Sequence, residues 1–254
     1  MKKLKYILFT FIFFFLILNV NAESFDKNTM DIYIDNSGNA HVTEVWTGYF
    51  NKNTELYKRY NNLGESKISN LRVSFNGITF KDQYSWDIHE TFEYKKYKSA
   101  ITYKDGGTEL CFGISEYGHN TYIISYEISD FIRNTEDGQI INWNLIDQIF
   151  KKYEIKVHSN FKYEDIYVKS FGDKGAKTYI EDGIIYVKSK HGIKRGEYEV
   201  LFAVFKPNTF NTDNHSNRSN TSNYYLNNAI KDYKDQKSDN LFNFIGVLLF
   251  PLQI

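Results

Sequence analysis

The chain has 254 residues, with 31 basic and 31 acidic side chains and therefore no formal net charge. This balance excludes a strongly basic nucleic-acid binder, because such proteins neutralise phosphates with an excess of lysine and arginine. A single cysteine excludes an intrachain disulfide, so the fold depends on its hydrophobic core. Aromatic residues make up 18% of the chain and supply large apolar side chains for that core.

The N-terminus has the layout of a secretory signal peptide. Three lysines within the first five residues precede an apolar run over 6–20, and Ala22 completes a small-residue cleavage pattern. The sequence therefore predicts a signal peptide over 1–22 and export of the remaining chain. An uncleaved N-terminal anchor is the alternative, although the apolar run is short for a spanning helix.

The middle of the chain alternates between apolar and polar residues in short runs. Tyr122, Ile124, Tyr126 and Ile128 share one face of the clearest predicted strand, whose other face is mostly polar. The pair Asn76-Gly77 lies between two apolar alternations and predicts a hairpin with a type I′ turn, in which both central residues need positive φ.

Turn signals recur between the predicted strands, at 36–39, at Asp105-Gly106-Gly107, at Glu136-Asp137-Gly138 and at Glu181-Asp182-Gly183. Strands about 10 residues apart, without alternating helices, are typical of an all-β sandwich. We therefore predict that 23–206 form an extracytoplasmic domain with an antiparallel β-sandwich fold, Ig-like or related.

One stretch of the predicted domain favours a helix. Leu145, Ile146, Ile149 and Tyr153 recur at the spacing of one helical face. The sequence thus predicts a single short helix of one or two turns at this place, in an otherwise all-β domain.

The composition changes after the last predicted strand. Residues 207–239 are rich in Asn, Ser and Lys and poor in aliphatic side chains, which predicts a disordered polar linker. Residues 240–254 form an apolar tail, too short by itself to cross a bilayer of about 30 Å. The tail is interpreted as the truncated start of a transmembrane helix, with an interfacial segment or a core segment folding back as alternatives.

Three stretches of the chain resemble a family of bacterial membrane proteins of unknown function. They are 30–50 with Val42-Thr43-Glu44, 121–146 with Trp143-Asn144, and 201–211 with Pro207 and Phe210. Together they are similar to the N-terminal extracytoplasmic domain of domain of unknown function (DUF) 2207. The resemblance implies an extracytoplasmic domain followed by a membrane span and a cytoplasmic region, and none of its motifs is catalytic.

Residues that commonly carry chemistry are scattered along the chain. No nucleophile elbow, phosphate-binding loop or dinucleotide motif occurs, and no two histidines have the spacing of a zinc-binding helix. Cys111 lies between Leu110 and Phe112, so we interpret it as a small buried residue instead of a nucleophile. The acidic turns lack the ligand spacing of a calcium loop. The sequence nominates no catalytic, cofactor-binding or metal-ligating residue, and it predicts no cofactor.

The three tryptophans have two interpretations. Trp46, Trp86 and Trp143 either fill the core or form an exposed platform for sugar rings, and their position among predicted strand residues favours the core. The hypothesis of function is an exported, membrane-associated binding or interaction module at the extracytoplasmic face of the cell membrane, with secretion as the alternative location. Expected partners are the membrane and a cell-envelope protein or polysaccharide, and not nucleic acid. The competing hypotheses are a wall-active hydrolase and a carbohydrate-binding protein.

Overall fold

A computed structural model describes residues 24–61, 63–212 and 218–234 of the chain. Its strands are β1 Ser24–Ile34, β2 Ala40–Phe50, β3 Glu55–Tyr60, β4 Ile68–Phe75, β5 Ile78–Thr79, β6 Lys81–Asp82, β7 Lys98–Lys104, β8 Gly107–Gly113, β9 Gly118–Ile128, β10 Arg133–Asn134, β11 Gln139–Ile146, β12 Phe150–Ser159, β13 Tyr167–Phe171, β14 Lys177–Glu181, β15 Ile184–Lys188 and β16 Glu199–Phe205. The helices are α1, Phe92–Lys95, and α2, residues 222–234. The prediction of an all-β fold is thus confirmed.

The strands form three sheets. Sheet A has eight strands in the order β14-β15-β12-β1-β2-β9-β4-β5, sheet B has the order β3-β8-β7-β6, and sheet C has the order β10-β11-β16-β13. Most neighbours are antiparallel, as predicted, but β1 pairs with β12 in parallel and β6 pairs with β7 in parallel. The parallel pair β1–β12 joins the first described strand to one more than a hundred positions later.

Short turns with positive φ connect several neighbouring strands. Asn76 and Gly77 have φ of 50° and 78° between β4 and β5. Asp182 and Gly183 have φ of 52° and 78° between β14 and β15. Asparagine, aspartate and glycine tolerate this conformation best, which is why the hairpins predicted at these pairs are confirmed.

The hydrophobic core lies on the inward faces of the alternating strands. Tyr122, Ile124, Tyr126 and Ile128 are all buried in β9, as the alternation predicts. Side chains from sheets A, B and C belong to one continuous buried cluster, with Trp46 at 0% exposure. This shared core fixes the three sheets against one another.

The predicted helix around 145–153 is wrong. Leu145 and Ile146 end β11, Ile149 lies in the following loop, and Tyr153 belongs to β12. The helical spacing arose because β11 is buried on both faces near its end, which hides the strand alternation, while the loop places Ile149 at 51% exposure. Among the described residues of the predicted domain, α1 is the only helix, and the Thr91 side chain caps its first turn by accepting from the Tyr94 amide.

The predicted linker 207–239 also differs from the structure. Phe210 is buried at 3% exposure, and its backbone N–H donates to the Gln139 side chain at 2.8 Å. In α2, Leu226, Ile230 and their neighbours pack on the outer face of sheet C, against Phe171 and other apolar residues. The sequence prediction missed these contacts because polar residues predominate in the composition of 207–239 and only a few apolar residues make them.

The predictions for 1–22 and 240–254 concern residues outside the described ranges. Among the residues that the structure does describe, no helix combines the length and the apolar character that crossing a bilayer requires.

Candidate functional site

A cavity of about 500 Å³ opens where the three sheets meet. The chain leaves sheet C at the end of β11 and enters sheet A at β12, and the loop 147–149 makes this crossing beside β3 of sheet B. The residues that line the cavity come from β1, from β3 and its approach, from the crossing loop and from β12: Ser24, Phe25, Asn53, Glu55, Leu56, Tyr57, Asp147, Gln148, Ile149 and Lys151. The volume is within the range of small-ligand sites.

The cavity has an apolar wall and an apolar rim. Phe25 is held in place by edge contacts with Trp46, Phe50 and Phe150, at ring-centre distances of 5.0 to 5.6 Å. Tyr57 and Ile149 remain 54% and 51% exposed at the surface. Another cavity of similar volume is lined by the polar residues Ser37, Asn39, Ser129, Asp130, Asn211 and Thr212, and so lacks such a wall.

Asp147 is the distinctive polar group of this cavity. Burial raises the pKa of its carboxyl group, an effect that the nearby Lys58 ammonium opposes and the Glu44 carboxylate reinforces. Its Oδ1 atom is buried and has no hydrogen-bond partner among the described residues. A buried acceptor of this kind is rare in proteins unless a ligand or water serves it.

The neighbouring Gln148 has a second buried acceptor that lacks a hydrogen-bond donor. Its Nε2 donates to the Tyr57 carbonyl at 3.2 Å, which ties the loop to β3. Its Oε1 is buried and, within the described part of the chain, accepts no hydrogen bond. The crossing loop therefore brings two oxygen acceptors without donors to one cavity.

Glu55 lies on the same cavity but is already engaged. Its Oε2 accepts from Trp86 Nε1 at 2.6 Å and lies 2.7 Å from Lys95 Nζ. Lys95 is only 1% exposed and also donates to the Ile88 carbonyl at 2.7 Å. This pairing fixes the Glu55 carboxylate at the wall of the cavity and satisfies its charge.

Lys151 is the basic residue of the lining, and it too has a partner. Its ammonium donates to Asp26 Oδ1, and this hydrogen bond lowers the pKa of the Asp26 carboxyl. His119 Nε2 lies 2.9 Å from the other Asp26 oxygen. The side chain of Lys151 is 65% exposed, so its charge faces water more than the cavity.

A network of buried polar groups surrounds Glu44. The Glu44 carboxylate, at 0% exposure, accepts from Asn28 Nδ2 at 2.7 Å, Trp46 Nε1 at 2.8 Å, Lys58 Nζ at 2.7 Å and the Tyr126 hydroxyl. Tyr60 in turn hydrogen-bonds Tyr126 at 2.6 Å, and burial raises the pKa of Tyr60 to about 12. Burial alone would lower the pKa of Lys58, but the Glu44 carboxylate, together with Tyr60 and Asp147, outweighs this effect and raises that pKa.

Lys58 links the network to the crossing loop. Its ammonium also donates to the Leu145 carbonyl at 2.7 Å, near the end of β11. Glu44, which the sequence analysis noted only within Val42-Thr43-Glu44, is thus the centre of the core's charge pairing. Because four side chains donate to the buried Glu44 carboxylate and Lys58 balances its charge, we interpret the network as structural, although Asn28 Oδ1 accepts no hydrogen bond from the described residues.

A second pair of buried carboxyl groups organises loops. The Asp173 amide donates to Glu199 Oε2 at 2.8 Å, and Asp173 Oδ2 accepts from the amides of Lys190, His191 and Gly192. Burial raises the pKa of the Glu199 carboxyl. This pair holds two loops together.

The structure also shows the positions of Cys111 and the three tryptophans, for which the sequence left alternative roles. Cys111 is a free, buried thiol, as interpreted, and burial raises its pKa to about 12. Trp46 and Trp143 are buried, which confirms the core interpretation for both, while Trp86 is half-buried against Glu55. Among the described residues, no three side chains of His, Cys, Asp or Glu converge to hold a metal ion.

Sequence reasoning missed Asp147, Gln148 and Ile149. They lay inside the stretch predicted to be helical, where a polar pair between apolar residues is unremarkable. The one available signal was the Asp-Gln pair directly after the apolar run Leu145-Ile146, which also fits a turn between two strands.

Comparison with known proteins gives remote structural likeness only. No protein-family model and no curated protein matches the chain. Native leukotriene A4 hydrolase from Saccharomyces cerevisiae is similar with a TM-score of 0.45 and 9% identity, over 73% of this chain and 29% of that one. An M1 zinc metallopeptidase from Deinococcus radiodurans is similar with a TM-score of 0.37 and 6% identity, over 72% of this chain and 42% of that one. The chain spans less than half the length of either, so any assignment of function rests on its own side chains.

Proposed function

We propose that this chain is an exported, membrane-associated binding module whose ligand occupies the cavity around Asp147. The observation that carries the proposal is the combination of an apolar wall with two buried acceptors that lack donors. Ligand sites in proteins typically have this composition, with a few convergent polar groups in a mostly apolar cavity. A carboxyl group of shifted pKa in a cavity is a further mark of a functional site.

Export and membrane association are supported by the two ends of the sequence. The pattern of 1–22 is typical of a signal peptide, and 240–254 is apolar. The resemblance to the DUF2207 extracytoplasmic domain supports the same location at the outer face of the cell membrane, where a cell-envelope protein or polysaccharide would supply the ligand. A secreted protein is the alternative.

We also propose that the three sheets pack as a β-sandwich of Ig-like or related type. The support is the single buried cluster to which sheets A, B and C all contribute. In such an arrangement, the inward residues of facing sheets interdigitate to form one core.

Fractionation tests the location. The full chain and a version ending at Asn240 are expressed in a bacterial host, and the medium, wall and carbonate-washed membranes are separated. We expect only the full chain to stay with the membranes. Release of both forms into the medium would replace membrane association by secretion.

Site-specific photo-crosslinking tests the cavity. A photoreactive residue is placed at Ile149 on the cavity rim, or at Ile78 in β5 as a control outside the cavity. The two isoleucines are matched, since they are 51% and 49% exposed. Irradiation of cells should give a discrete adduct at 149 and none at 78, detected by mass spectrometry of the protein. Equal labelling at both positions would contradict the proposed site.

A hydrolase is the second candidate function. Glu55 and Asp147 line the same cavity, and two carboxyl groups flanking one bond are what glycoside hydrolysis requires. The raised pKa of Asp147 suits a general acid, whereas Glu55 is held by Lys95 and Trp86. If this candidate holds, the purified full chain releases fragments from cell-wall material, and Asp147→Asn and Glu55→Gln each lower the rate by about 100-fold or more. A binding module releases none.

A further inference from the structure

The charged groups around the cavity limit the chemical class of ligand that it can bind. Three ammonium groups lie on or next to the cavity, and each already has a carboxylate partner. Lys58 pairs with Glu44, Lys95 with Glu55, and Lys151 with Asp26.

The Asp147 carboxyl group belongs to none of these three ion pairs. No lysine, arginine or histidine nitrogen in the described ranges lies within 4.0 Å of its carboxylate, although Lys58 acts on it from a distance. The lining of the cavity therefore has a negative group that its own cations do not neutralise.

In the lining of the cavity, the buried polar atoms that lack a hydrogen-bond partner among the described residues are of one kind. Asp147 Oδ1 and Gln148 Oε1 are both acceptors, and neither has a donor in the described part of the chain. An ammonium group carries three N–H donors and no acceptor, so one such group can serve both oxygens and neutralise the carboxylate. A carboxylate ligand would instead place a third acceptor beside two that already lack donors.

The rest of the cavity suits an apolar stem. Phe25 and Leu56 line it from β1 and β3, and Tyr57 and Ile149 leave apolar surface exposed at the rim. Exposed apolar surface next to a buried polar group is typical of a site for an amphipathic ligand.

We infer that the cavity binds a primary amine with an apolar stem, the ammonium group meeting Asp147 and Gln148 and the stem lying on Phe25, Leu56 and Ile149. The inference rests on the proposed binding function and specifies its ligand class. A peptide N-terminus or a lysine side chain would present the same chemistry as a free amine.

Three probes that share a phenylethyl stem and differ in the charge of the head group test this inference. They are 2-phenylethylamine, 2-phenylethanol and 3-phenylpropionate, titrated into the purified full chain by calorimetry or NMR. We expect the amine to bind at least ~10-fold more tightly than the alcohol or the acid, which corresponds to about 1.4 kcal/mol.

Three variants assign the effect to Asp147 and to the cavity. Asp147→Asn should weaken binding of the amine by ~10-fold and change that of the alcohol by less than about twofold. Asp182→Asn is the matched control, because Asp182 is an exposed turn residue outside the cavity. It should leave all three affinities unchanged. Ile149→Lys, at an exposed position that cannot disturb the core, should weaken the amine and strengthen the acid.

The outcomes separate the inference from the proposed function. Equal binding of the three probes, or tightest binding of the acid, would overturn the amine inference and leave the cavity as a ligand site. Failure of all three probes to bind at millimolar concentration would also overturn it. Equal photo-crosslinking at 149 and 78 is the separate result that would overturn the binding site itself.

Discussion

Glu44 and Asp147 are two carboxyl groups that both interact with the Lys58 ammonium, yet the protein surrounds them in opposite ways. Glu44 has no exposed surface and accepts hydrogen bonds from four different side chains. Asp147 lines a cavity open to solvent, and its Oδ1 accepts none from the described residues.

This difference suggests a structural role for Glu44 and a ligand-binding role for Asp147. A buried charge with all its partners stabilises one arrangement of the core and has no capacity left to bind anything else. A carboxyl group with an unserved oxygen makes folding less favourable than a neutral residue would, unless a ligand completes its contacts. We therefore expect substitutions at Glu44 to change stability and substitutions at Asp147 to change binding.

Glu44→Gln should have the largest effect on stability. The amide keeps the shape of the side chain but leaves the Lys58 ammonium buried without a negative partner, which costs about 3–5 kcal/mol in the free energy of unfolding. Urea denaturation followed by tryptophan fluorescence measures it. Glu93→Gln is the control, because Glu93 is 76% exposed and its loss should cost less than about 0.5 kcal/mol. A Glu44→Gln protein as stable as the wild type would show that the network is not structural.

Tyr126→Phe should have an intermediate effect. The change removes one donor to Glu44 and the acceptor for the Tyr60 hydroxyl, while the ring still fills the core. A buried hydrogen bond to a charged group lost in this way costs about 1–3 kcal/mol. The same urea titration tests it, with Tyr103→Phe as the control, since Tyr103 is 77% exposed. Equal stability of the two variants would argue against a tightly coupled network.

Asp147→Asn should have the smallest effect on stability, with the opposite sign. Replacing this half-buried carboxylate, whose Oδ1 accepts no hydrogen bond from the described residues, by a neutral amide should raise the free energy of unfolding at pH 7 by about 0–1 kcal/mol. Because burial raises the pKa of Asp147, the folded protein takes up this proton at higher pH than the unfolded chain does. Lowering the pH through the raised pKa therefore stabilises the wild type relative to the variant, and raising the pH removes that gain.

Urea titrations of both proteins across the pH range that spans this pKa check the prediction. The difference in stability between wild type and variant should shrink as the pH falls. A difference that does not vary with pH would mean that Asp147 keeps its charge, and a variant less stable than wild type at pH 7 would mean that the carboxylate is satisfied.

Local features of this fold could be predicted from the sequence, and the candidate site could not. The alternation of Tyr122, Ile124, Tyr126 and Ile128 and the turn at Asn76-Gly77 depend on residues a few positions apart. The site brings together β1, β3 and the loop 147–149, which are distant in sequence. No local pattern marks Asp147, and the double-sided burial of β11 made its neighbourhood look helical.

The sequence by itself determined the all-β class, the hairpin turns and the inward faces of the strands, because backbone conformation and period-two alternation are properties of neighbouring residues. Only the tertiary structure decided that β1 pairs with β12 in parallel, that α2 covers sheet C, and that Glu44 meets Tyr126 across 82 positions of chain. These contacts join segments that are distant in sequence, and they depend on how well those segments bury apolar surface and pair polar groups. They are therefore fixed only when the whole core forms. The same packing left Asp147 Oδ1 without a hydrogen-bond partner among the described residues.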